Sequence, residues 1–138
     1  MTLDELKETF AFLDSWEDKY RLVIDLGKEV PALPAADRTE DHLVRGCQSQ
    51  VWLVTRYDPA TDRLHMALDS DAHIVRGLVY LILTLYSGRN ARNILETDAQ
   101  DLFKRLGLDA HLTPQRSNGV RSMVERIKTD ARNALAAT

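Results

Sequence analysis

The sequence has a single cysteine, Cys47, and so cannot close an internal disulfide. That scarcity fits a reducing, cytoplasmic setting. One cysteine also falls short of the ligand sets that hold iron–sulfur clusters or structural zinc. The four histidines, His42, His65, His73 and His111, do not make up the deficit, because their spacing is not that of a metal site. No metal and no other cofactor is expected. Long apolar runs are missing too. The longest, Leu78 to Leu85, is interrupted by Tyr80 and Thr84 and reads as a buried helix, not a membrane span. Positive charge is not in excess: the net charge is -3, which argues against nucleic acid and against an anionic membrane surface as partners. The first ten residues, MTLDELKETF, are acidic and helical in pattern and do not read as a signal peptide.

What remains is an ordinary globular balance. Hydrophobic residues are 44% and charged residues 28% of 138, enough chain to bury a core as one domain spanning residues 1–138. Thr2 with Glu5 forms a capping-box pattern that opens a helix whose apolar face is Leu3, Leu6, Phe10 and Leu13. Ser15 caps a second helix, ended by Gly27 or running on to Val30. Pro31 and Pro34 enforce an irregular stretch to about Asp41. The middle reads as β. Leu43 and Val44 suggest a short strand, residues 51–56 a second, and the alternation of Leu64, Met66 and Leu68 a third, with a turn around Asp58, Pro59 and Asp62. Asp69 or Ser70 then caps a helix carrying Ile74, Leu78, Leu81 and Leu85, which stops near Gly88. Two short helices, Asn90 to Glu96 and Asp98 to Leu106, precede a last helix opened by Thr113-Pro114. The class is α+β, a small antiparallel sheet of about three strands covered by helices.

Cys47 is the one residue fitted for sulfur chemistry. It follows Gly46 in a turn between two predicted strands, where glycine permits backbone angles that project a side chain from the sheet edge. Arg45, two residues away, is placed to favour a thiolate. The competing reading is a buried, inert cysteine, since free cysteines are usually buried. A cysteine–histidine hydrolase is conceivable, but no partner histidine or oxyanion hole can be located from the sequence. Arg116, Arg121 and Arg126 read as a solvated helix face, with only Arg116 placed suggestively where a turn feeds the last helix.

These residues resemble a known pattern. Gly46-Cys47-Gln48-Ser49-Gln50-Val51-Trp52 resembles the GCQSxVW signature of the SufE family. Asp69-Ser70-Asp71-Ala72 followed by Ile74-Val75-Arg76-Gly77-Leu78 resembles a second block, and Tyr86-Ser87-Gly88-Arg89 a third. His111-Leu112-Thr113-Pro114 with Arg116-Ser117-Asn118-Gly119 resembles a fourth. The likeness covers nearly the whole chain in the right order. Gln115 stands where the family often has serine, and Asn90-Ala91 replaces a common Thr-Pro helix start. The related CsdE branch is similar, but Gln48-Ser49-Gln50 favours SufE proper.

The resemblance implies a fold like the IscU-type scaffold proteins without their cluster-binding cysteines. It implies a SufS-like, pyridoxal-phosphate-dependent cysteine desulfurase as partner, whose persulfide sulfur Cys47 accepts. It further implies that Cys47 stimulates the desulfurase and passes the sulfur to a SufBCD-like scaffold complex for iron–sulfur cluster assembly. By the same likeness Gln48, Asp71, His111 and Arg116 are supporting or partner-binding positions, and Asp71 influences the packing of its loop. Such a protein is a sulfur-transfer accessory, not an enzyme on its own. Two other classes remain in view: a thiol enzyme, and a module that activates the desulfurase without carrying sulfur.

Overall fold

The computed structural model describes residues 1–137. Helices α1 (Leu3–Ala11) and α2 (Trp16–Gly27) lead through an irregular segment to a hairpin of β1 (Val51–Asp58) and β2 (Arg63–Ser70). Four helices follow: α3 (His73–Tyr86), α4 (Ala91–Glu96), α5 (Ala99–Arg105) and α6 (Pro114–Ala137). The class is α+β, as the sequence predicts.

Local chemistry starts the helices. Both arms of the α1 capping box form: the Thr2 hydroxyl accepts from the Glu5 N–H at 3.1 Å and the Glu5 carboxylate from the Thr2 N–H at 3.3 Å. The Ser15 hydroxyl accepts from the Asp18 N–H at 3.2 Å and so caps α2. Asn90 and Asp98 cap α4 and α5 in the same way. The α2–α3 contact needs glycine on both sides. A Cβ on Gly77 would lie 2.1 Å from the Val23 carbonyl oxygen, and one on Gly27 would lie 2.7 Å from the Gly77 nitrogen. The two helices therefore meet backbone to backbone.

The sheet is smaller than expected. Among the described residues it has two strands, paired from Val51 with Ser70 to Asp58 with Arg63. The predicted third strand at Leu43 and Val44 is a single bridge from Leu43 to Trp52, with the Val44 N–H donating to the Val51 carbonyl at 2.8 Å. The reason is local. The preceding chain is spent in 3-10 turns at Ala35–Asp37 and Glu40–His42, and the following chain lifts at once into the Gly46 turn. No length is left for a ladder. The expected caps of α3 also differ. Strand β2 runs through Asp69 and Ser70, and the helix begins after Ala72 with no side-chain cap.

Asp69 is instead 1% exposed, inside the core. Its carboxylate accepts from the Leu33 N–H at 2.9 Å, the Ser70 N–H at 2.8 Å and the Arg38 guanidinium at 3.3 Å, and is paired with Arg76. Arg76 also donates to the carbonyls of Gly27, at 3.2 Å, and Val30. A buried carboxylate is tolerated because each of its lone pairs is answered. Hydrophobic burial closes the core around this network. Leu53, Leu64 and Leu68 of the hairpin, Leu78 and Ile82 of α3, and Ile127 of α6 are all at most 2% exposed.

Removing one member of a buried charge network leaves the others uncompensated. Asp69→Ala is expected to lower the unfolding free energy by roughly 3–5 kcal/mol in urea denaturation. Arg105→Ala, which breaks the exposed pair with Asp101, is expected to cost less than about 1 kcal/mol. Equal costs for the two would contradict the structural role given to Asp69.

Candidate functional site

The chain between Val44 and Val51 forms a loop fixed at both ends. At the far end, the Gln50 carbonyl accepts from the Ser70 hydroxyl at 2.8 Å and from the Asp71 N–H at 3.2 Å. The Asp71 carboxylate accepts from the Gln50 N–H at 3.1 Å. At the near end, Arg126 of α6 donates to the carbonyls of Leu43 at 3.3 Å and Asp41 at 2.9 Å. Between these anchors the chain turns at Gly46, whose φ of +88° is strained for any other residue. A Cβ there would also meet the Ser122 hydroxyl oxygen at 2.5 Å, so the turn lies tight on α6.

This path sets Cys47 half-buried against α6. Its Sγ lies 3.6 Å from the Gly119 carbonyl oxygen, within reach of a weak S–H···O bond. A cavity of about 240 Å³ opens beside it. Cys47 and Gln48 line it from the loop, Ile74 and Val75 from α3, and Arg116 and Gly119 from α6. The walls are mainly apolar, and Arg116 is among the residues that form them. Burial pushes the Cys47 thiol pKa above its ordinary value. Arg45 does not face the thiol; it pairs with Glu40 at 3.1 Å on the exposed surface.

The sequence-derived positions thus separate into groups. Cys47, Gln48 and Arg116 share one cavity. Asp71 stands outside it and holds the end of the cysteine loop. His111 is not among the lining residues; it is exposed and stacks on Trp16, with ring centroids 4.6 Å apart. His65 and His73 are exposed. Among the described residues no three His, Cys, Asp or Glu side chains are grouped so as to hold a metal ion. A larger cavity, about 660 Å³, lies between α5 and α6, but it contains no cysteine and its walls mix Asp101, Lys104, Glu125 and Lys128. Of the two cavities, the smaller is the one that holds the chain's single thiol.

Sequence reasoning missed the face of α6 on which the loop lies. Gly119, Ser122 and Arg126 stand at helical spacing, three and four residues apart, and meet Cys47, Gly46 and Leu43 respectively. Arg126 is therefore not on a solvated face. The spacing was visible in the sequence, but nothing in it named the partners.

The geometry makes a kinetic prediction. The thiolate is the reactive form, so a raised pKa and partial burial both slow alkylation. Cys47 in the folded protein should react with a small haloacetamide at pH 7.5 at least about tenfold more slowly than in the urea-unfolded chain. The rate should climb with pH to a midpoint above the roughly 8.5 of a free thiol. Equal rates in both states, or a midpoint below that value, would refute the sheltered site.

Comparison with known proteins gives this site a context. Residues 4–131 match the SufE model, described as an Fe-S metabolism associated domain. An uncharacterized SufE-like protein of Rhizobium meliloti is 50% identical over 138 residues, covering 99% of both chains. A second, from Rhizobium etli, is also 50% identical, over 99% of this chain and 93% of the relative. Among solved structures, the solution structure of a hypothetical protein from Thermus thermophilus superposes with a TM-score of 0.75 at 20% identity, over 99% of each chain, and shares the fold. With the family model spanning nearly all of its length and full-length relatives at half identity, the chain belongs to the SufE family.

Proposed function

We propose that Cys47 accepts a sulfur atom as a persulfide from a cysteine desulfurase and passes it on for iron–sulfur cluster assembly. The observation that carries this reading is the placement of the only thiol at the edge of a small apolar cavity with Arg116 on its wall. The Cys47 thiolate attacks the outer sulfur of the partner's persulfide. The partner's S–S bond breaks, its cysteine leaves as a thiolate, and a new S–S bond forms on Cys47. This is thiol–disulfide-type exchange, so the rate depends on thiolate fraction, leaving group and access. The exchange calls for no metal and no separate acid–base pair, and the protein acts as a transfer accessory without a turnover of its own.

The cavity suits the product. A terminal sulfur that carries negative charge would share its cavity with Arg116, and the apolar part of the wall limits access by other thiols and oxidants. Transfer still requires two sulfurs to meet. The partner therefore binds the loop in an outward arrangement and draws on that population. Gly46 is a suitable pivot, because glycine crosses between positive and negative φ without the steric cost that other residues meet. The donor in this reading is a SufS-like, pyridoxal-phosphate-dependent enzyme, the acceptor a SufBCD-like scaffold, and the setting the cytoplasm. Gln48 at the cavity and the exposed His111 belong to the face offered to the partner.

A second reading, an activator that never carries sulfur, leaves Cys47 a structural residue. A Cys47→Ser variant separates the two. Carriage predicts that this variant stops stimulating cysteine turnover by the desulfurase while it still binds the enzyme, because a hydroxyl cannot take up sulfur by exchange. Stimulation equal to that of the unaltered protein would overturn the transfer mechanism in favour of the activator.

A further inference from the structure

Besides the bridge of Leu43 to Trp52, the chain entering the Cys47 loop is tied to α6 by one arginine whose role no sequence signal announces. Arg126 lies on α6, 79 positions beyond the cysteine, with 32% of its side chain exposed. Its Nη2 donates to the Asp41 carbonyl at 2.9 Å and its Nη1 to the Leu43 carbonyl at 3.3 Å. The remaining donor, Nε, faces Asp130 at 3.6 Å. Asp130 is in turn fixed to the sheet, accepting from the Thr55 hydroxyl at 2.8 Å. Strand β1, helix α6 and the chain entering the loop are thereby joined through one planar cation.

We propose that Arg126 is the positioning residue for Cys47, fixing where the loop lies along α6 and so placing the thiol over Gly119; this deepens the sulfur-carrier reading and rests on it.

The physical case runs through rigidity. A guanidinium is planar, always charged and forked, so it sets two carbonyls at a defined separation. Those carbonyls belong to Asp41, in the 3-10 turn Glu40–His42, and to Leu43, which bridges Trp52 at the sheet edge. Beyond them, contact with α6 continues in order along one face: Gly46 on Ser122, then Cys47 on Gly119. The last contact is a weak S–H···O interaction at 3.6 Å and cannot set the register alone. The far anchor, at Gln50, is held independently by Ser70 and Asp71, so the loop is free to swing only between two fixed points.

The charge is used for hydrogen bonding to carbonyls, and this separates Arg126 from its neighbours. Arg121 is exposed and lines the other cavity, between α5 and α6. Arg116 lies on the wall beside Cys47. Arg126 touches neither the thiol nor the cavity, so it acts only through the backbone it holds.

The test compares Arg126→Ala and Arg126→Lys in the intact protein, with Cys47 alkylation by iodoacetamide as the readout and amide exchange at Leu53 and Leu81 as the measure of global opening. Loss of two hydrogen bonds from a charged donor should raise the alkylation rate of Arg126→Ala by about tenfold or more, with core exchange unchanged. Arg126→Lys, which keeps the charge but cannot hold both carbonyls in a fixed fork, should fall between. Thr55→Val, which frees Asp130, should raise the rate in the same direction by a smaller factor. An alkylation rate in Arg126→Ala equal to that of the unaltered protein would overturn the proposal. So would a rise matched by equal acceleration of Leu53 and Leu81 exchange, since that marks a residue needed only for stability. Neither readout involves a desulfurase, so a failure of sulfur transfer itself shows separately as unaltered Arg126 behaviour with no sulfur acquired by Cys47.

Discussion

Asp69 joins segments that are distant in sequence. Its buried carboxylate receives the Leu33 N–H, Arg38 and Arg76, and Arg76 reaches on to the carbonyls of Gly27 and Val30. The end of β2, the end of α2, the irregular segment after it and the first turn of α3 are thus set by one ion network. The next two residues along, Ser70 and Asp71, are the ones that grip Gln50. The network that organises the core is therefore continuous with the anchor of the cysteine loop. Buried ion pairs are weak sources of net stability, because desolvation offsets the attraction. Their value here is geometric: a charge pair tolerates only one arrangement of its donors, and that arrangement fixes where the loop begins and ends.

The rest of the site is built on α6. Gly119, Ser122 and Arg126 present one face, and the loop lies along it. Gly119 faces the sulfur, but a Cβ there would stand 3.8 Å from Sγ, an ordinary contact distance, so the approach does not depend on glycine at this position. Glycine at 46 lets the chain turn over Ser122. The thiol is left half-buried and raised in pKa, a poor nucleophile when the protein is alone. For a carrier this is an advantage, since sulfur that is hard to reach is also hard to lose.

Much of the fold was legible in the sequence because local chemistry writes it. Thr2, Ser15, Asn90 and Asp98 each cap a helix within three residues of themselves. The hairpin followed from alternation and from a turn in which Asp58 accepts from the Ala60 N–H at 3.0 Å. The failures at Asp69 and Arg126 share one cause, which is that the deciding partner lies far along the chain. An aspartate after an apolar alternation resembles a helix cap, and only Arg76, Arg38 and Leu33 show that Asp69 is core. Leu43 and Val44 have strand-like side chains, but backbone geometry on both sides denies them a ladder. Arg126 resembles any helix arginine until its partners, Asp41 and Leu43, are seen. At the site itself, Cys47, Gln48 and Arg116 were named from the sequence and its family likeness, and the structure sets all three on one cavity. His111 was named with them by likeness as a supporting or partner-binding position, and the structure sets it outside the cavity lining, stacked on Trp16.

The central claim is that sulfur comes to rest on Cys47. It is tested most directly by the mass of the intact chain after incubation with cysteine and a pyridoxal-phosphate-dependent cysteine desulfurase, followed by removal of the enzyme without reductant. The account predicts a chain heavier by one sulfur atom, with the gain confined to the peptide that contains Cys47 and reversed by a thiol reductant. An unchanged mass while the desulfurase is turning over and bound to this protein would contradict it.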